Sequence, residues 1–151
     1  MNSRPLIFCL ALCAGCGTPV RLPPVDLNRP GWSTQQGQAL WQPPRHRPEM
    51  AGDLLLATNV NGDFFIQFTK TPFTVATAEV SGGKWQIQFG AQEYHRSGRG
   101  APPHVFVWFE LPRALGGATP DAPWKWGRQP GGPWRLENPR SGEMLEGRFF
   151  P

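Results

Sequence analysis

At 151 residues the chain has room for one domain with a two-layer core. Its net charge of +4 is spread over loop-like stretches, at Arg45, Arg47, Arg96, Arg99 and Arg140 among others, without the one-faced clustering that nucleic-acid binding requires. All three cysteines, Cys9, Cys13 and Cys16, precede Gly17, so the rest of the chain has no thiol for a disulfide or a metal.

Met1 to Arg4 is a short polar stretch with one positive charge, and Pro5 to Cys16 (PLIFCLALCAGC) is an apolar run ending in small residues. This is the layout of a signal peptide, and the run falls short of the roughly 20 residues that a permanent membrane-spanning helix takes. Leu12-Cys13-Ala14-Gly15-Cys16 resembles the lipobox of bacterial lipoproteins, where small residues before an obligatory Cys let the peptidase reach the backbone. Cys13 stands where that pattern usually has Leu. The resemblance implies that residues 1–15 are removed and that Cys16 is acylated, each buried CH2 of its chains contributing about 0.8 kcal/mol to membrane attachment. Gly17 is not the Asp that marks retention in the inner membrane, so the implied location is the outer membrane, facing the periplasm. One basic residue, Arg4, and no acid precede Cys16, which leaves a net charge of +3 on the remainder. Residues 16–30 read as the acylated terminus and a Pro-rich tether (TPVRLPPVDLNR), and residues 31–151 as a single β-rich domain.

Within that domain the recurring signal is alternation. Gly37 to Gln42 is expected to be the first strand. Leu54 to Val60 and Asp63 to Thr69 flank Asn61-Gly62, a strong hairpin signal. Phe73 to Val80 is β-branched and joins Lys84 to Phe89 through Ser81-Gly82-Gly83. In the latter strand Trp85, Ile87 and Phe89 face one way and Lys84, Gln86 and Gln88 the other. Val105 to Glu110 is expected to continue as strand, followed by one helical turn over Leu111-Pro-Arg-Ala-Leu115, with Pro112 in its first turn and Gly116 as its stop. Trp134 to Asn138 and Glu143 to Phe149 form a last hairpin across Pro139-Arg-Ser-Gly142. The expected fold is mainly β: an antiparallel meander forming a curved open half-barrel with one or two short helices.

Catalytic and metal-binding signatures are missing from the sequence. His46, His95 and His104 are far apart and lack zinc-ligand spacing, so they read as loop histidines, and no nucleophile, phosphate-loop or dinucleotide motif occurs. Asp53 and Asp63 flank a predicted hairpin, where paired strand ends explain them without catalysis. No cofactor and no enzymatic activity are expected. Seven Trp against one Tyr is unusual, with Trp124, Trp126 and Trp134 grouped among Pro and Gly. They read as core and cover, or as the walls of an apolar groove.

The order of these pieces resembles the outer-membrane lipoprotein receptor family typified by LolB and, more loosely, its periplasmic relative LolA. The likeness rests on the early strand Gly37 to Gln42 and the hairpin GDFFIQFTKTPFTV leading to Pro72. It continues through the segment Leu111-Pro-Arg-Ala-Leu115-Gly-Gly to the Trp-led strand Trp134-Arg-Leu-Glu, and spans residues 31 to 150. It implies a curved sheet whose concave face, closed by short helices, shelters the acyl chains of other lipoproteins. The residues expected on that apolar ligand face are Trp41, Phe64, Ile66, Phe68, Trp85, Ile87 and Phe89. Implied partners are the membrane, through Cys16, and acylated lipoproteins or lipids. The alternative is a structural or assembly lipoprotein of the envelope that acts through protein contacts, its apolar face being ordinary core.

Overall fold

A computed structural model describes residues 21–45, 47–90 and 94–151; Cys16, the signal segment and His46 lie outside the described residues. The described chain is mainly β. Its strands are β1 (Trp32–Gln42), β2 (Met50–Asn59), β3 (Phe64–Lys70), β4 (Phe73–Ser81), β5 (Lys84–Phe89), β6 (Tyr94–Arg99), β7 (Lys125–Arg128), β8 (Trp134–Asn138) and β9 (Glu143–Phe149), with one helix, α1 (Val107–Leu115), between β6 and β7. All pairings are antiparallel. They make one open nine-stranded sheet in the order β6-β5-β4-β3-β2-β1-β9-β8-β7, so the only neighbours distant in sequence are β1 and β9.

The hairpins follow their turn chemistry. Ser81 pairs with Lys84 across Gly82 and Gly83, which sit at φ 56° and 71°, a region that a side chain would disfavour. Asn61-Gly62 connects β2 to β3, and the adjoining carboxylate of Asp63 ties this end of the sheet together. It accepts from Ser81 Oγ at 3.1 Å and from the Gly82 N–H at 3.0 Å, which joins the β2–β3 and β4–β5 hairpins.

Two strands carry no alternation that a sequence reading could use. β6 (YHRSGR) is polar throughout and is held by its ladder with β5; Gly98 leaves room there for the Trp85 ring, which a Cβ would meet at 2.6 Å. β7 (KWGR) has four residues and exists through its pairing with β8.

The expected strand from Val105 to Glu110 is corrected by the structure. Phe106 is the extended N-cap of α1, and Val107 to Leu115 is helical, with Pro112 in its middle rather than its first turn. Both structures fit a short apolar run, and periodicity cannot separate them. Tertiary packing decides: Val107, Trp108, Phe109, Leu111 and Ala114 are all buried, and only a helix turns that many side chains into the sheet at once. The stop at Gly116 holds, its N–H donating to Pro112 O while Ala118 N–H reaches back to Arg113 O.

Helix α1 also explains the curvature. It touches β5 through Trp85 and Phe109 (5.7 Å between ring centroids) and lies against β9 as well. Five strand intervals separate β5 from β9, about 24 Å in a flat sheet, against a helix only about 10–12 Å across. The sheet therefore wraps around the helix. Gly37 and Gly147 permit the tight coiling of β1 on β9: a Cβ at Gly37 would lie 2.0 Å from Arg148 O, and one at Gly147 2.4 Å from Gln38 O.

The segment expected as a tether is partly docked. Leu22 N–H donates to Gln86 Oε1 at 3.1 Å, Gln86 Nε2 donates to Glu79 Oε2 at 2.8 Å, and Leu22, Val25 and Leu27 are half-buried. Glu79 and Gln86 face away from α1, so the chain approaches β1 across the outer face of the sheet. Burial pushes the Glu79 carboxyl up from its ordinary range; the Gln86 hydrogen bond opposes this and the charge of Asp63 adds to it.

Candidate apolar ligand site

The seven residues of the expected ligand face meet on one side of the sheet, and the structure divides them. Phe64, Ile66, Phe68 and Ile87 are buried in the core and Trp85 is partly buried against it, with α1 packed on Phe64, Phe68 and Trp85. Phe68 packs on Trp108 at 5.4 Å, and Phe64 meets Phe109 at 6.2 Å. Within this stretch the chain fills its own concavity.

Trp41, itself buried in the core, and the partly buried Phe89 also reach a pocket. It lies at one end of the half-barrel and has a volume of about 520 Å³, within the range of about 300–1,000 Å³ usual for small-ligand sites. Trp41 is the penultimate residue of β1, stacked on Phe89 (5.7 Å, 16° between planes) and edge-on to Trp108 (5.1 Å, 68°). Phe89 ends β5 and also contacts Phe106, the N-cap of α1, at 6.2 Å. Met50 at the start of β2 adds a further wall. So does Val75, the residue skipped where the β3–β4 register shifts between Phe68 and Thr69; such a bulge re-aims a side chain. Val105 and Arg47 stand at the rim, both exposed.

Among the described residues, one acid faces this apolar lining. Glu143, the first residue of β9, is 5% exposed, and its Oε1 accepts a hydrogen bond from Trp41 Nε1 at 3.0 Å. Burial pushes its carboxyl up to about 7, opposed by the Trp41 hydrogen bond. Such a group is held near the midpoint of its titration at neutral pH. Nothing in the sequence marks Glu143. It begins a strand as an ordinary charged residue would, and only the β1–β9 pairing brings it to Trp41, 102 residues away.

A second cluster also escapes sequence reasoning. His104, Glu110 and Asp121 place donor atoms within 4.8 Å of one another, an arrangement that could hold a metal ion. The Arg113 guanidinium already fills that place, 2.9 Å from His104 Nδ1, 3.1 Å from Glu110 Oε1 and 3.0 Å from Asp121 Oδ2. Its hydrogen bond holds Asp121 below the ordinary carboxylate range, with the charges of His104 and Arg113 acting the same way. Glu110 is fully buried, and Trp124 Nε1 donates to the backbone carbonyl of His104. The cluster thus clamps the start of α1 to the loop that follows it. Of the other residues singled out in the sequence, Asp53 lies on a groove of about 680 Å³ that Lys70, Glu146 and Arg148 also line. Trp124 and Trp134 are buried, while Trp126 stacks half-buried on Trp134 at 6.4 Å.

Comparison with known proteins finds no matching family model and no matching curated sequence.

Proposed function

We propose that this chain is a lipoprotein of the bacterial envelope, anchored to the outer membrane through Cys16, whose half-barrel shelters an acyl chain of a lipid or lipoprotein at its open end. The observation that carries the reading is the pocket bounded by Trp41, Met50, Val75, Phe89 and Phe106, which the helix leaves open although it closes the rest of the concave face. Apolar walls are all that acyl binding requires, and transfer of aromatic-lined surface out of water supplies the affinity. The reading is narrower than a fully open trough, because Phe64, Phe68 and Trp85 are engaged with α1 and Ile66 and Ile87 are buried in the core.

That engagement favours a second reading: a structural lipoprotein with a filled core, acting through protein contacts at exposed residues such as Val60, Phe73 and Phe150. Binding of a fluorescent fatty acid to the full chain carrying Cys16→Ala separates the two. Saturable binding that weakens in Val105→Glu, a rim change that leaves the core intact, supports the acyl-sheltering reading. Absence of binding up to high micromolar probe overturns it in favour of the structural one.

A further inference from the structure

Among the described residues the pocket holds one buried acid among apolar walls, and this arrangement bears on what the ligand carries at its polar end. We infer that Glu143 is the polar recognition group of the pocket, donating a hydrogen bond from its protonated carboxyl to the uncharged ester or amide carbonyl of an acyl ligand and disfavouring a free fatty-acid carboxylate. The inference rests on the acyl-sheltering reading and names the chemical class of its ligand.

The geometry assigns the roles of the two oxygens. The Trp41 indole N–H can only donate, and its ring is held between Phe89 and Trp108, so Glu143 Oε1 must act as acceptor. Oε2 has no hydrogen-bond partner among the described residues. It is therefore the oxygen left to carry a proton toward the pocket. A carboxylate there would be acceptor-only, in a setting where an unpaired charge is strongly disfavoured. A carboxylic acid is a donor, and a buried donor set in an apolar lining selects ligands that bring an acceptor to that point.

Three ligand heads can be compared on this basis. An amine would pair with the ionised acid and would therefore bind more tightly as pH rises, the opposite pH dependence to that of a carbonyl acceptor. A fatty-acid carboxylate would bury its own negative charge in the apolar lining beside the neutral acid. A neutral ester or amide carbonyl accepts the proton's hydrogen bond and leaves no buried charge unpaired. The acyl esters and amides of lipids and of acylated protein termini belong to this third class.

Among the described residues, the other titratable side chains lining the pocket are Arg47 from the β1–β2 loop and Tyr94 from β6, and the strand partner of Glu143 on β8 is the neutral Asn138. Substitution at Glu143 alone separates its part from theirs. Glu143→Gln keeps an acceptor for Trp41 and a donor for the ligand at every pH; Glu143→Leu keeps the apolar wall only.

The test is displacement of a bound apolar fluorophore, N-phenyl-1-naphthylamine, from the full chain carrying Cys16→Ala, by monopalmitoyl glycerol and by palmitate, at pH 6, 7 and 8. With a carboxyl titrating at about 7, the ester should bind roughly tenfold more weakly at pH 8 than at pH 6. Glu143→Gln should abolish that dependence and retain the preference for the ester, and Glu143→Leu should lose the preference while still binding the fluorophore. Equal displacement by ester and palmitate, indifferent to pH and to Glu143→Gln, would overturn the role of Glu143 and leave the pocket standing. No fluorophore bound by the wild-type chain or by Glu143→Gln at pH 6 would overturn the pocket and the inference together.

Discussion

The indole N–H of Trp41 donates to the carboxylate of Glu143 at 3.0 Å, tying the end of β1 to the start of β9 at the mouth of the apolar pocket. The bond satisfies a buried donor and holds a buried acid, and each residue orients the other.

Stability should depend on pH through this pair. The folded-state carboxyl of Glu143 titrates at about 7 against an ordinary value of 4.5, so the folded protein binds the extra proton and is stabilised relative to the unfolded chain at low pH. That contribution is fully present below about pH 4.5 and is lost as pH rises through 7, amounting to roughly 3 kcal/mol. Denaturant titrations should show Glu143→Gln gaining on the wild type between pH 5 and pH 8. Trp41→Phe, which removes the N–H donor along with part of the ring, should move the Glu143 midpoint upward, readable by NMR of the labelled carboxyl.

Removing the cation from the second cluster should expose the cost of a buried acid. Arg113→Ala leaves the fully buried Glu110 without its guanidinium partner. Breaking a buried pair typically costs 3–5 kcal/mol; Arg113 is about a third exposed, and solvent screening reduces the expected loss to about 2 kcal/mol. The same change frees His104, Glu110 and Asp121 to converge on an added ion. Zinc should therefore raise the Tm of Arg113→Ala and leave that of the wild type unchanged, and an equal shift in both would contradict the place assigned to Arg113.

Phe109 grips the sheet alongside Trp108, with ring contacts to Phe64 and Trp85 on the sheet and to the N-cap Phe106, at 5.7–6.2 Å. Phe109→Ala should cost about 3–5 kcal/mol in chemical denaturation, the range for deleting a buried aromatic ring. A loss below 1 kcal/mol would mean that the helix is not what holds the concave face closed.

The coiling of β1 against β9 can be tested with a pair of glycines. Gly147→Ala places a Cβ 2.4 Å from Gln38 O and 2.9 Å from the Trp134 ring, so a strand must move, and a substantial fall in Tm is expected. Gly127→Ala meets nothing within 4 Å and should change stability by no more than about 0.5 kcal/mol.

The hairpins were legible because their signals are local. Asn61-Gly62 and Ser81-Gly82-Gly83 specify turns through backbone conformation, and alternation such as that of Lys84 to Phe89 specifies which face is apolar; β5, β8 and β9 appear with their expected bounds. β6 and β7 were not legible, since a polar edge strand owes its existence to the ladder beside it. The identity of α1 was also beyond local reading, because Val105 to Glu110 suits a strand or a helix equally well.

By itself, the amino-acid sequence determined the mainly β class, the antiparallel meander and the inward set of Trp41, Phe64, Ile66, Phe68, Trp85, Ile87 and Phe89, since each follows from two-residue periodicity and turn chemistry. Only the tertiary structure decided which of those residues also line a pocket, because that depends on where α1 lands on the curved sheet. It likewise decided that Glu143 stands beside Trp41 and that Arg113 sits among His104, Glu110 and Asp121. Those neighbours are set by the β1–β9 closure and by the loop after α1, contacts between distant segments that no local pattern encodes.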